Sequence, residues 1–316
     1  MSFESSCLVL SSDINNIEFA LVSIKSFYLY NDESIKSFIL ISDDVDFKII
    51  SEYLHQSTKI LFVDESKLEG VKFRSARPLS RAAYYRLLIP EILPSNITKA
   101  LYIDTDVLVR RNIEHLFELD ISNYILAAVE DITILKNEHR AQMGLSINNK
   151  YFCSGFMLLN INKWRNEVNI DSLISWSKKD RMVYFHDQDV LNFFFKKKWL
   201  ELPRIYNTFI PFNYVGLWGA KINYNSSYSI HFYHYYKPWN NFYSLNSKLS
   251  FFRKEWSNLY FDIFNYNNKK IKINSSKFEI LRWQISILLW NLSLFFRATA
   301  LTKILINIKN KIYEKV

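Results

Sequence analysis

Cysteine is nearly absent from this chain, and the absence is the first constraint. Only two occur in 316 residues, Cys7 and Cys153, each inside an apolar run that reads as a buried strand. A disulfide framework needs more thiols and a shorter chain, so a reducing cytosol is expected. Glycine is scarce too, with five residues beside plentiful Asn, Lys, Ile, Phe and Tyr. That balance reads as the codon bias of an AT-rich genome and not as a structural demand. Residues Met1–Asn16 lack the basic segment of a secretory signal. No uninterrupted apolar stretch is long enough to span a bilayer, and there is no internal repeat. A composition of 49% hydrophobic and 22% charged residues excludes disorder over most of the length. The length allows one large α/β domain, alone or with an appendage.

The net charge of +9 is unevenly placed. Ten Lys and Arg against Glu279 and Glu314 give residues 269–316 a net +8, which leaves +1 for residues 1–268. The basic character therefore belongs to a tail. Asn265–Lys277 reads as a polar linker. Beyond it Trp283, Ile287, Trp290 and Leu294 recur at helical spacing, with Arg282 and Arg297 flanking an apolar stretch. A basic, aromatic helix of this kind suits the interface of an anionic membrane. Packing on the body of the chain, or a dimer contact, is its alternative. A nucleic-acid partner is not expected, since the body is nearly neutral and carries no matching motif.

Short apolar runs alternate with helical spacing along the body. Cys7–Leu10, Ser37–Ser42, Lys59–Val63, Ala100–Ile103, Val107–Val109, Ile125–Val129 and Phe156–Ile161 read as strands. Ile17, Ala20, Leu21, Ile24 and Phe27 recur at helical intervals between the first two. Such alternation predicts a largely parallel sheet with helices on its faces. Ligands of such sheets bind at the carboxyl ends of the strands, so the polar residues there are the candidates. Trp164 and Trp199 read as core.

Three Asp-x-Asp pairs occur: Asp44/Asp46, Asp104/Asp106 and Asp187/Asp189. The first reads as the cap and first-turn acid of a helix over Phe47–Leu54. Asp104 and Asp106 follow a strand, where alternation would turn both carboxylates to one side. Hard oxygen ligands there suit Mg²⁺ or Mn²⁺, and an added imidazole favours Mn²⁺.

Read together, five segments change the odds. Ala100–Asp106 (ALYIDTD) resembles the metal-site segment of the retaining glycosyltransferases of family 8. Ser80–Leu93 (SRAAYYRLLIPEIL), Tyr151–Arg165 (YFCSGFMLLNINKWR), His186–Asn192 (HDQDVLN) and His231–Trp239 (HFYHYYKPW) resemble further segments of that family, in its order. The resemblance covers roughly residues 6–245. It implies an α/β GT-A type nucleotide-diphospho-sugar transferase fold, Rossmann-like with a mixed sheet, over residues 1–262. Residues 263–316 form the basic, helical C-terminal tail.

The resemblance also implies roles. Asp104, Asp106 and His231 would hold Mn²⁺, with Mg²⁺ the second choice. Ser11, Ser12, Asp13 and Asn15 would meet the uridine. Arg86 would approach the donor sugar and phosphates, and Lys237 the diphosphate, with Thr105, Cys153, Ser154 and His234 also on the donor. Asp131 and Asp187 would take hexose hydroxyls, and Gln188 would lie beneath the anomeric carbon. Cys153 stands where the family commonly has Asn, and a thiol lacks an amide's paired donor and acceptor. His234 stands where Gly is common. Asp189 and Asn192 read as bracing a helix. The implied activity transfers glucose or galactose from UDP-glucose or UDP-galactose, with retention, to a glycan or glycolipid such as lipopolysaccharide. The implied setting is the cytoplasmic face of a bacterial inner membrane. A protein acceptor and a silent nucleotide-sugar-binding scaffold are the alternatives.

Overall fold

A computed structural model of the chain describes residues 3–42, 51–71, 80–131, 144–146, 149–178, 185–210, 224–232, 237–239 and 247–264. Asp44, Asp46, His234 and residues 269–316 lie outside them. Seven strands form one sheet in the order β3-β2-β1-β4-β7-β6-β8. They are β1 (Ser6–Ser11), β2 (Lys36–Ser42), β3 (Thr58–Val63), β4 (Lys99–Ile103), β6 (Leu126–Glu130), β7 (Phe152–Asn160) and β8 (Trp199–Leu202). Strands β1 to β4 are parallel to one another, as β6 is to β8. Strand β7 runs against both β4 and β6, so the sheet is mixed. A second sheet of β5 (Val107–Val109), β10 (Ser229–Phe232) and β9 (Thr208–Ile210) stands beside it.

The inner strands of the main sheet are buried on both faces. Cys7 and Val9 enter one buried cluster with Tyr102, Met157, Trp164 and Leu191. Leu8 and Leu10 enter another with Ile17, Leu21, Leu101, Ile103 and Phe156. A sheet of this kind needs cover on both sides. Helix α1 (Ile17–Tyr28) supplies it on one face. The other is covered by the short helices α2 (Ala82–Tyr85) and α3 (Ile89–Ile92) with α4 (Ile161–Glu167), α5 (Ile170–Lys178) and α6 (His186–Phe195). A third cluster joins the small sheet to α7 (Ser247–Phe264) through Ile230, Phe232, Phe252, Trp256 and Tyr260. Each fully buried large apolar side chain contributes about 1.5–3 kcal/mol. Exposed ion pairs such as Lys25–Asp262 contribute about 0–1 kcal/mol. The clusters therefore decide stability.

Three local expectations shift. Strand β7 begins at Phe152, four residues before its apolar run, because Cys153-Ser154-Gly155 is extended and paired although small or polar. Val107–Val109 leaves the main sheet for the second one. Trp164 is fully buried, whereas Trp199 is half-buried against Phe152, ring centroids 5.2 Å apart. Next to Trp164, Arg165 donates to the carbonyls of Pro90, Leu93, Pro94, Ser95 and Ile97. One guanidinium thus satisfies the unpaired end of α3 and the loop after it.

Candidate active site

Strands β1, β4 and β6 end at one edge of the main sheet, at Ser11, Ile103 and Glu130. The residues that follow are Ser12-Asp13, Asp104-Thr105-Asp106 and Asp131. Antiparallel β7 starts at that same edge and adds Cys153, Ser154 and Gly155. The candidates therefore meet because of strand direction, not because of nearness in sequence.

Asp104 and Asp106 do not alternate along a strand. They occupy the turn by which the chain passes from β4 to β5, closed by Val107 N–H donating to the Asp104 carbonyl at 3.1 Å. The turn still converges both carboxylates. Asp104 N–H donates to the Gly155 carbonyl (2.9 Å), and Phe232 N–H to the Asp106 carbonyl (3.0 Å). The second bond seats β10, in which His231 pairs with Val107. One ligand atom from each of Asp104, Asp106 and His231 then lies within 4.8 Å of the others, the single such group among the described residues. His231 and Asp106 are buried. Their Nε2 and Oδ1 are 3.2 Å apart, and the Lys237 ammonium also contacts Asp106.

The residues fit a divalent cation. A Cβ placed at Gly155 would lie 2.5 Å from His231 Cε1 and 2.6 Å from Asp104 Oδ2. Only glycine lets these two ligands close over the strand. Burial would raise the Asp106 carboxyl, but Lys237 and His231 hold it well below the usual range. Burial would likewise lower the His231 imidazole, yet Asp106 outweighs it and raises the pKa to about 10. Asp106 is thus held as a carboxylate by the positive charge around it.

Arg86 links this group to the opposite wall. It is buried and sits at 2.9 Å from Asp104 Oδ1 and 3.0 Å from Asp187 Oδ2. It also donates to the Ser154 carbonyl and Oγ at 2.8 and 2.9 Å. The Tyr102 ring lies beneath it at 4.6 Å, and the Tyr102 hydroxyl donates to Asp104 Oδ1 at 3.0 Å. Burial raises the Asp187 carboxyl to about 6 against the pull of Arg86. Gln188 is held at both ends of its amide. Ser154 N–H donates to its oxygen (2.9 Å), and its nitrogen donates to Asp131 Oδ2 (3.1 Å).

Helix α6 carries Asp187 and Gln188, and its seat is specific. His186 has φ 47°, the single positive φ among the described non-glycine residues. Such a conformation costs about 1–2 kcal/mol and persists where the surroundings enforce it. Asp189 accepts from the Tyr151 hydroxyl (2.7 Å) and Phe185 N–H (2.9 Å). Asn192 exchanges bonds with both backbone groups of Phe152. These residues brace the helix against β7.

The remaining candidates divide. Ser11 and Ser12 are buried, Asp13 half-buried, and Asn15 exposed in the turn from β1 to α1. Asp13 accepts from Asn16 N–H and Nδ2 at 3.0 and 2.8 Å, which shapes that turn. Thr105 is half-buried, with its carbonyl accepting from Ser23 Oγ at 2.8 Å. Cys153 Sγ lies 3.9 Å from His231 Nδ1, and burial keeps the thiol protonated. The reading of single residues missed Tyr102, which alternation along β4 would have placed on the face of Asp104. It also missed Asn207, whose Oδ1 is 3.1 Å from His231 Nδ1 and which no sequence pattern marks.

A central mixed sheet covered by helices on both faces is the GT-A type of fold. The solved structure of galactosyltransferase LgtC in complex with donor and acceptor sugar analogs shares it. The TM-score is 0.68 at 22% identity, over 83% of this chain and 96% of that one. Glycosyltransferase GlyE of Streptococcus pneumoniae TIGR4 gives 0.58 at 23% identity, over 87% and 66%. These likenesses are of fold.

Sequence is more specific. Residues 7–242 match the model of glycosyl transferase family 8, and the chain belongs to that family. Glycosyltransferase GlyF of S. pneumoniae serotype 4 is 25% identical over 243 residues, 74% of this chain and 57% of that protein. The lipopolysaccharide 1,2-glucosyltransferase of Escherichia coli K12 is 28% identical over 204 residues, 62% and 60%. General stress protein A of Bacillus subtilis is 36% identical over 131 residues, 40% and 45%. The chain spans about half of the length of the curated relatives it matches, between 45% and 60% for these three.

Proposed function

We propose that the chain transfers glucose or galactose from UDP-glucose or UDP-galactose, with retention, to a glycan or glycolipid acceptor. The reading rests on one observation above all. Asp104, Asp106 and His231 converge around the gap that Gly155 leaves, on the sheet edge that also presents Arg86, Asp131, Asp187 and Gln188. The lipopolysaccharide and galactosyl activities named for relatives support the donor and acceptor classes.

Breaking the sugar–phosphate bond leaves negative charge on the nucleotide and positive character on the sugar. A cation held by Asp104, Asp106 and His231 would neutralise the diphosphate as it leaves, and this donor set favours Mn²⁺ over Mg²⁺. Lys237, already beside Asp106, adds a second positive charge for the leaving group. Ser11, Ser12, Asp13 and Asn15 meet the uridine, and Thr105, Cys153, Ser154 and His234 are the further donor-binding residues of this reading. Asp131 and Asp187 accept from sugar hydroxyls, and their charge favours an oxocarbenium-like centre. Gln188, its amide fixed by Ser154 and Asp131, presents its oxygen to the anomeric carbon. Residues 269–316 place the enzyme on an anionic cytoplasmic membrane surface, and among the described residues no helix is long and apolar enough to cross one.

The test is UDP release by the purified chain from a panel of UDP-sugars, with and without Mn²⁺. Mn²⁺-dependent release from UDP-glucose or UDP-galactose alone is the expected result. No release and no calorimetric binding of UDP would overturn the reading. Flotation with anionic liposomes, lost on deleting residues 269–316, tests the membrane attachment.

A further inference from the structure

Asn207 lies just before β9 and is 1% exposed. Its backbone N–H donates to the Arg204 carbonyl at 3.2 Å. The next residue, Thr208, is held by its hydroxyl to Arg204 O and Ser227 Oγ. The side chain is therefore aimed by a fixed backbone. Its Oδ1 lies 3.1 Å from His231 Nδ1, on the far side of the ring from the 3.2 Å contact between Nε2 and Asp106. Its Nδ2 is buried without a hydrogen-bond partner among the described residues. Such a buried donor costs about 1–3 kcal/mol, and an apolar residue of similar size would avoid that cost. What the position retains is the acceptor facing the imidazole.

We propose that Asn207 is a positioning residue for the cation site, holding His231 with Nδ1 protonated and Nε2 presented to the ion. A neutral imidazole carries one N–H and one lone pair. An acceptor at Nδ1 stabilises the N–H there and leaves the lone pair on Nε2, the nitrogen that faces Asp106. Ring orientation is then set before any ion arrives, and the proton displaced on binding is the one on Nε2, as is usual where a ligating histidine donates its second N–H. Cys153 Sγ, at 3.9 Å, is too distant and too weak an acceptor to do this alone. The inference deepens the proposed function and rests on its cation site.

The experiment is an electron paramagnetic resonance titration of the full chain with Mn²⁺, with no nucleotide present, so that turnover does not enter. Asn207→Leu is expected to weaken Mn²⁺ binding by about 10–100-fold with unchanged circular dichroism. Asn207→Asp, which keeps the acceptor, is expected to restore most of the affinity. Wild-type affinity in folded Asn207→Leu, or no recovery in folded Asn207→Asp, overturns the inference while the cation site stands. Should Asn207→Leu not fold, Asn207→Ala carries the same comparison. A wild-type chain that binds no Mn²⁺ overturns the cation reading itself and this inference with it.

Discussion

Arg86 and Arg165 show how differently one residue type serves the scaffold and the site. Arg165 spends its donors on five backbone carbonyls. These are neutral dipoles, so the cluster is complete as it stands. Arg86 faces two carboxylates, Asp104 and Asp187, inside a buried group that also includes Asp106 and Asp131. Burial works against its charge, but those carboxylates keep it protonated. A scaffold closes its own hydrogen bonds; a site keeps charges that a ligand must balance. Arg165 is expected to be replaceable at a cost in stability alone, and Arg86 at a cost in chemistry.

The largest effects test that contrast directly. Arg86→Met and Asp106→Asn are each expected to lower Mn²⁺-dependent UDP release by at least about a hundredfold, the scale of losing an electrostatic partner in a reacting site. The protein should remain folded, because Asp187 already titrates near 6 and can take up a proton when Arg86 is gone. Arg165→Met should do the reverse, lowering the unfolding free energy by about 2–4 kcal/mol for several charge-assisted bonds. Its turnover per folded molecule should be near that of the wild type. Equal losses of activity for Arg86→Met and Arg165→Met, measured beside denaturant unfolding, would erase the distinction.

Two glycines repeat the comparison on a smaller scale. Gly155→Ala forces a Cβ into 2.5–2.6 Å contact with His231 and Asp104. The ligands must part, and Mn²⁺ affinity should fall by roughly tenfold or more, as when support for a ligand is lost. Gly70 has φ +78°, and a Cβ there would meet Lys178 Cδ at an ordinary 3.8 Å. Gly70→Ala should cost about 1–2 kcal/mol of stability through backbone strain and leave Mn²⁺ binding unchanged. Titrations of both variants decide this.

Acidity gives a third separation. An ion needs the free lone pair of His231, whose pKa is raised to about 10 without metal. Below that pH the ion must displace a proton. Mn²⁺ affinity should therefore rise with pH, by about tenfold per unit between pH 6 and 8 for one proton released. A flat affinity over that range would mean that the imidazole is already neutral, or is not a ligand.

The sequence carried the architecture better than the directions of its parts. Apolar runs such as Leu8–Leu10 and Ala100–Ile103 mark strands because burial on both faces leaves no room for polar residues. Strand β7 was half-hidden because Cys153-Ser154-Gly155 is chosen for what approaches it, not for apolar area. The Asp104/Asp106 pair was visible, but its convergence comes from a turn and not from alternation. That turn depends on β5 joining β10, a partner more than a hundred residues away. The fit of Gly155 under His231 and the bond from His231 to Asn207 are likewise long-range. No local pattern records such contacts.

The finest test sets Cys7 against Cys153. Both are free and buried, and burial raises both thiols. Cys7 lies within the core of the sheet, where the opposing pulls of Arg165 and Lys36 are weaker than burial. Cys153 is 3% exposed and stands at the sheet edge where the proposed donor would bind, beside an imidazole that favours the thiolate. A thiol reacts as its thiolate and only when accessible. With a maleimide at pH 8 both should label slowly, Cys153 first through local opening of the site and Cys7 only on global unfolding. UDP with Mn²⁺ should slow Cys153 and leave Cys7 alone. The reverse order of labelling would place the softer region of the molecule in its sheet, and the division between a self-satisfied scaffold and a site awaiting its ligand would fail at its most sensitive point.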